Sequence, residues 1–284
     1  MSIAFGNAFL LRCRHCAVGW NCRIVLGTEK RMKRSLCYSI AGILLFLLFW
    51  QLLAACFVQR EYLLPTPLAV LQSFAENLSL LLRHSRYTMI EAAGGMALSV
   101  LFSLLLALVM SLFRRVREAV YPLLVLSQMV PIVVLAPLFL IWFGYGMLPK
   151  VLVVILICFF PMVIQSLAGL SAADSEMLAF YRAMGMSRRQ LFTMVRLPLA
   201  LPYFFGGLRV SAAYSVMGAV IGEWLGAEAG LGLLLTRAQR SFDLPLTFAA
   251  ILAIIIWSAL IFAVVALCEH FCLRWRRVTA EKWE

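Results

Sequence analysis

Few side chains in this sequence are equipped for chemistry, and their spacing says what kind. The three histidines, His15, His84 and His270, stand far apart, and no His/Asp/Glu cluster with metal-ligand spacing forms around them. Cys13 and Cys16 make one Cys-x-x-Cys, with Cys22 a little further on; a zinc site needs more ligands than that, so no metal site is assigned. A Gly-x-x-x-x-Gly-Lys-Ser/Thr phosphate loop is absent, so the chain has no such route to ATP hydrolysis. No residue is assigned a catalytic role. What remains are polar groups set within apolar runs: Ser127 and Gln128 before Pro131, then Gln165 and Ser166, then the carboxylate of Glu223. Groups of this kind suit the binding and passage of a solute. Ser and Gln at such places also hydrogen-bond neighbouring helices, which is the plainer alternative. A carboxylate inside a membrane is costly and is a functional candidate by default. Glu223 lies near the end of its run, however, where a solvated helix end is the competing expectation.

The elements that hold these groups follow from composition. Of 284 residues, 64% are hydrophobic and 13% charged, and mean hydropathy is +0.95. Soluble domains sit near ~45–50% apolar and ~25% charged. Such a chain cannot coat itself with polar side chains, which excludes a soluble enzyme and a disordered chain. Its long uninterrupted apolar runs fit helices and not the alternation of an outer-membrane barrel. The expected fold class is an all-α polytopic membrane protein. The net charge of +12 is scattered in short clusters between those runs, a pattern of membrane topology and not of nucleic-acid binding. Cys37, Cys56, Cys158, Cys268 and Cys272 lie in or beside the runs, where a free thiol is a small hydrophobe.

Runs of about 20 apolar residues predict six spans, at 36–57, 88–113, 119–143, 150–170, 206–225 and 247–268. Pro131 and Pro137 are expected to kink the third. With the N-terminus inside, 18 Lys and Arg fall on the inner segments and 6 on the outer ones. Both termini are therefore expected in the cytoplasm of a multi-pass inner-membrane protein. Residues 1–31 show neither a spanning run nor helical periodicity and read as a leader or a mis-assigned start. Met32-Lys33-Arg34 precedes the first span, and the membrane part then occupies 32–284. Gly218, Gly222, Gly226 and Gly230 recur every fourth residue, which suits close helix contact at a dimer axis or within the subunit.

Two connections exceed simple turns. The outer one, 58–87, has an apolar-periodic stretch at 68–82 that predicts a surface helix. The inner one, 171–205, predicts two short helices bent at a glycine. Asp174 can cap the first, and Gly185 supplies the left-handed residue that ends it. Ser187 and Gln190 have capping-box spacing. The second helix then carries Leu191, Phe192 and Val195 on one face and is expected to stop before Pro198. The hairpin is expected to expose an apolar edge of Met184, Met186, Leu191 and Phe192, rimmed by arginines. An ordinary connecting loop is the alternative, but a structured apolar hairpin suits a protein partner better.

From Gly185 the chain runs nine residues to Val195-Arg196-Leu197-Pro198. This resembles the loop signature of permease subunits of binding-protein-dependent ABC importers: Glu-Ala-Ala, three residues, Gly, nine residues, Ile, any residue, Leu-Pro. Here Val195 replaces the Ile, and Ala179, Phe180 and Tyr181 stand at the Glu-Ala-Ala positions. The stretches Ser127-Gln128-Met129-Val130-Pro131, Leu135-Ala136-Pro137-Leu138 and Trp142-Phe143-Gly144-Tyr145-Gly146 are similar to the nitrate, sulfonate, taurine and thiamine-precursor branch. Ile221-Gly222-Glu223-Trp224 with Gly230-Leu231-Gly232 agrees.

The resemblance implies a type I importer architecture and a homodimer of permeases in membrane lipid. It implies a cytoplasmic ATP-binding subunit docked on Gly185, Met186, Ser187, Leu191, Phe192, Val195, Leu197 and Pro198, and a periplasmic or extracellular solute-binding protein. ATP would be used by the partner, with no cofactor on this chain. The solute would be small and polar, with a thiamine-type pyrimidine precursor favoured over sulfonate, nitrate or taurine. A secondary transporter is the competing reading, and it should show two similar halves or coupling charges at mid-membrane. Neither is visible in the sequence.

Overall fold

The computed structural model describes residues 64–274 and, before them, Tyr38, 41–42 and 44–55. The expectations for residues 1–31, Met32 and the Cys13/Cys16 pair lie outside the described residues. The chain divides into two units, Met1–Val58 and Gln59–Glu284. In the first, α1 (Leu44–Ala55) is an apolar helix within the expected first span.

The second unit begins with α2 (Pro67–Glu76). Thr66 starts it by accepting the Ala69 N–H at 3.2 Å, and Pro67 fits the first turn, where no N–H is needed. Asn77 ends it, its side-chain amide donating to the Ser73 carbonyl at 3.0 Å. Next, α3 runs for 35 residues, Leu78–Leu112. The surface helix expected at 68–82 is therefore shorter, and its last residues form the first turns of α3. The reason is packing: Leu81 is buried against Leu231, Leu234, Ala249 and Ala250, so the apolar period past residue 77 faces the bundle.

The core joins α3 to α6 (Met147–Leu170), α9 (Leu197–Trp224) and α11 (Leu244–Cys272). Glycines let α6 and α9 approach closely in antiparallel fashion. A Cβ on Gly169 would sit 2.9 Å from the Ala200 carbonyl oxygen, and one on Gly222 would sit 2.9 Å from the Lys150 Cα. Gly218 likewise faces Val154 and Ile157. The first two members of the glycine repeat thus serve packing within the subunit, and Gly226 and Gly230 lie beyond the end of α9.

The third expected span is two helices. α4 (Arg114–Ser127) and α5 (Ile132–Phe143) meet at 98° across a break of a few residues. Turn bonds from Met129 N to the Leu126 carbonyl and from Val130 N to the Ser127 carbonyl close α4. Pro131, extended at ψ 122° and without an N–H, starts α5. Pro137 sits inside α5 without ending it. Among the described residues four helices are long and apolar enough to cross a membrane, or five if this bent pair is one span. The 171–205 connection is also partly helix: α7 (Ser175–Ala183) and α8 (Arg188–Gln190) lead through a π-helical stretch, Leu191–Arg196, directly into α9. The helix does not stop before Pro198. The wider π turn removes the register in which the proline ring would meet a carbonyl one turn earlier, so Pro198 is accommodated in the first turn of α9.

Candidate functional site

Two places in the second unit concentrate polar order, one at each end of the bundle. At the first end stands the α7–α8 hairpin. Gly185 has φ +88°, a conformation costly for a residue with a Cβ. It donates its N–H to the Arg182 carbonyl at 2.9 Å, and the next N–H, of Met186, reaches the Tyr181 carbonyl at 3.1 Å. That pair of bonds is a Schellman stop, satisfying carbonyls the helix would leave open. One residue on, Ser187 Oγ accepts the Gln190 N–H at 3.3 Å, and Gln190 Oε1 accepts the Ser187 N–H at 2.8 Å. This is the capping box expected from the sequence. Asp174 occupies the cap position of α7, but its side chain makes no cap bond.

The hairpin's apolar edge differs from the expected one. Leu191 and Val195 turn inward and pack with Leu178, Met186 and Tyr181, while Phe192 packs beside Val163 and Leu167. They hold the hairpin on the bundle. The exposed large apolar residues are Met177, Phe180, Met184, Met194 and Leu197, with Arg182, Arg188 and Arg189 around them. The π stretch rotates residues 191–196 relative to a regular helix, which a 3.6-residue reading could not foresee.

Replacing Ser187 by Ala removes one half of the capping box, worth about 1 kcal/mol. Amide exchange across residues 187–191 of the purified protein should then rise about fivefold, with the transmembrane helices unchanged. Unaltered exchange there would show that the Schellman stop alone holds the bend.

The opposite end is organised around Glu223, which is fully buried. It is not the solvated helix end the sequence left open. Thr88 Oγ1 donates to Glu223 Oε1 at 2.6 Å, and the Gly232 N–H donates to Oε2 at 2.5 Å. The Leu231 N–H donates to Thr88 Oγ1 at 2.9 Å, and the Gly230 N–H to His84 Nδ1 at 3.1 Å. These three backbone N–H groups open α10 (Leu231–Arg240), and side chains of α3 and α9 satisfy them. A carboxylate at that place also meets the positive end of the α10 dipole. Gly230 makes this possible: its φ is +134°, and a Cβ there would overlap the Glu223 carboxyl. Beside the cap, Lys150 Nζ donates to Glu91 Oε1 at 2.8 Å in a buried ion pair. The cap was not legible in the sequence, because the carboxylate lies nine residues before the N–H it accepts; α10 itself has a local signal that the search for long runs missed, with Leu231, Leu234, Leu235 and Ala238 at helical spacing.

The other candidates are not brought together with Glu223. Ser127 spends its hydroxyl on the Leu124 carbonyl at 2.8 Å, and exposed Gln128 stands with Pro131 at the α4–α5 break. Gln165 packs on Gly207, and Ser166 of α6 is buried with no partner for its hydroxyl. Among the described residues no group of three or more His, Cys, Asp or Glu is placed to hold a metal ion.

Comparison with known proteins adds an independent line. The family described as binding-protein-dependent transport system inner membrane component matches residues 99–276. The formylaminopyrimidine transport permease protein of Halalkalibacterium halodurans is 38% identical over 82% of this chain and 94% of its own length. The riboflavin transport system permease protein of Chloroflexus aurantiacus is 35% identical, covering 82% and 88%. The taurine transport system permease protein of Escherichia coli is 28% identical, covering 79% and 85%.

Proposed function

The chain belongs to the family of binding-protein-dependent transport system inner membrane components, and on that premise we propose that it forms, as a homodimer, the path of an ATP-driven importer for a small heteroaromatic solute. Membership makes it a multi-pass inner-membrane permease. The relatives are transport permease subunits, in keeping with a non-enzymatic role. In this reading a separate cytoplasmic subunit hydrolyses ATP, this chain binds no cofactor, and an external binding protein delivers solute. The hairpin end and both termini face the cytoplasm, as the placement of Lys and Arg favours.

The observation that carries the coupling role is the hairpin: a bend fixed on both sides of Gly185 that presents Phe180, Met184 and Met194 within a rim of arginines. Exposed apolar groups held on a rigid turn are what a protein groove recognises. ATP-driven closure of two such grooves would draw the two hairpins together and open the dimer alternately to each side. The solute class rests on the relatives. Those named for formylaminopyrimidine and riboflavin, at 38% and 35% identity, stand nearer than the taurine permease at 28%.

The test is purification of the tagged chain in mild detergent with its bound partners. An ATPase should co-elute with the wild-type chain and be lost from Met184→Asp, which places a charge in the contact. An ATPase held equally by both would move the docking surface elsewhere; no ATPase with either would remove the importer reading.

A further inference from the structure

Among the described residues only Glu91 of α3 and Glu223 of α9 bring a carboxyl group into the buried interior, and the two side chains meet within hydrogen-bond distance. Lys150 Nζ donates to Glu91 Oε1 at 2.8 Å. Thr88 and the Gly232 N–H donate to the two oxygens of Glu223. Glu91 Oε2 is enclosed, and no N–H or hydroxyl of the protein reaches it. What faces it is the Glu223 carboxyl. Two ionised carboxylates cannot bond one another, since each only accepts. Pressing them together in the interior leaves a hydrogen bond unmade and sets like charges side by side.

The charge count leads to the same place. With both acids ionised, two negative charges stand against the one ammonium of Lys150, and buried charge without a partner is not sustained. No neighbour makes up the difference. On α3, His84 accepts the Gly230 N–H at Nδ1 and is neutral in that role, and Arg83 is exposed. The first turn of α10 offers backbone N–H groups, and its Arg237 is exposed. The 225–230 turn carries Glu228, a further negative charge, and α11 contributes no buried charged side chain. One proton between the two carboxyls resolves both difficulties. It makes the missing bond, and it leaves one negative charge opposite one positive charge.

We infer that Glu91 and Glu223 bind one proton between them, and that this proton holds the ends of α3, α6 and α9 opposite the hairpin together around a neutral Glu91–Glu223–Lys150 cluster. The proton belongs to the pair and not to either residue. Glu91 and Lys150 also line a cavity of about 900 Å³ at this end, so the cluster closes the bundle beneath an open mouth. Loss of the proton sets two carboxylates against each other across α3 and α9, which makes closure of this end depend on it. The inference goes beyond the permease reading and does not depend on which solute is carried.

Infrared spectroscopy of the full chain in lipid nanodiscs tests this at neutral pH, where exposed carboxyl groups are ionised. The wild type should show the C=O stretch of a protonated carboxyl. Glu91→Gln and Glu223→Gln should each remove it, because the amide supplies the donor and the remaining carboxylate balances Lys150. Lys150→Met should instead raise the band about twofold, as the second acid takes up a proton in place of the lost positive charge. If a variant does not fold, the wild-type spectrum still decides. No protonated-carboxyl band in the wild type, a band that survives both Gln variants, or one unchanged in Lys150→Met overturns the inference.

The closing role is read from stability. The folded protein holds a proton that the unfolded chain releases, so the denaturation midpoint should fall as pH rises until the pair gives the proton up. In Glu223→Gln, whose amide has no proton to lose, that fall should be missing over the same range. Parallel midpoint curves for the two proteins would overturn the claim that the proton holds these helix ends together.

Discussion

Gly230→Ala is expected to destabilise the permease by about 4 kcal/mol or more, the largest effect of a single methyl added at any of the described glycines. The added Cβ would overlap the Glu223 carboxyl group. Relief by moving the carboxylate is closed off, because Thr88 and the Gly232 N–H hold it from two sides and the site is fully buried. Pushing it aside leaves buried donors and acceptors unpaired, at roughly 1–3 kcal/mol each. Keeping it costs about 1–3 kcal/mol of overpacking, on top of the strain of a side chain at φ +134°. Either way α10 loses the cap on its first turn, and Leu231, Leu234 and Leu235 lose their register against Leu81 and Ala250. The check is thermal denaturation of purified protein, followed as loss of the monodisperse peak. The double variant Gly230→Ala/Glu223→Asp, with a shorter acid, should recover part of the loss. A midpoint for Gly230→Ala within a degree of wild type would show that the carboxylate does not sit where the cap requires.

Gly185→Val should act on coupling and leave the fold intact. The site has open space around it, with nothing within 4 Å of an added Cβ. The penalty is therefore conformational, roughly 2–3 kcal/mol for a β-branched residue at φ +88°. That exceeds what one helix stop contributes, so the bend between Arg182 and Ser187 should relax toward negative φ. Tyr181 and Met186 would separate, and the exposed Met184 would no longer stand where α7 and α8 jointly hold it. The α3–α6–α9–α11 core does not use this bend. Expression, dimerisation and denaturation midpoint should stay near wild type, while retained ATPase and uptake both fall more than tenfold. Gly185→Asn, which tolerates positive φ, should restore much of both. Full retention of ATPase and uptake in Gly185→Val would show that the hairpin is not the coupling element.

How much could be read in advance differs between the two ends of the molecule. The hairpin was legible because its signals are local: a helix-ending Gly185, then Ser187 and Gln190 three apart, each writing its own hydrogen bonds. The long apolar runs were legible as well, since a run without alternation satisfies its backbone in a bilayer as a helix. What the sequence concealed depends on contacts between distant segments. The inward turn of Leu191 and Val195 follows from a π stretch that propensity does not encode. The 98° break at Pro131 needed the turn bonds at 126–130, not the proline alone. Burial of Glu223 depends on Thr88 of another helix and on the first turn of α10, which packs over it. The Glu91–Lys150 pair joins residues 59 apart, and no spacing rule links them.

The most direct test of the central claim is uptake by proteoliposomes holding this chain with its co-purified ATPase, with the binding protein outside and nucleotide inside. Labelled aminopyrimidine should accumulate only when ATP is hydrolysed and the binding protein is present, and not with a non-hydrolysable nucleotide. Accumulation driven by an imposed proton or sodium gradient, with no ATPase in the vesicles, would contradict the account and identify a secondary transporter.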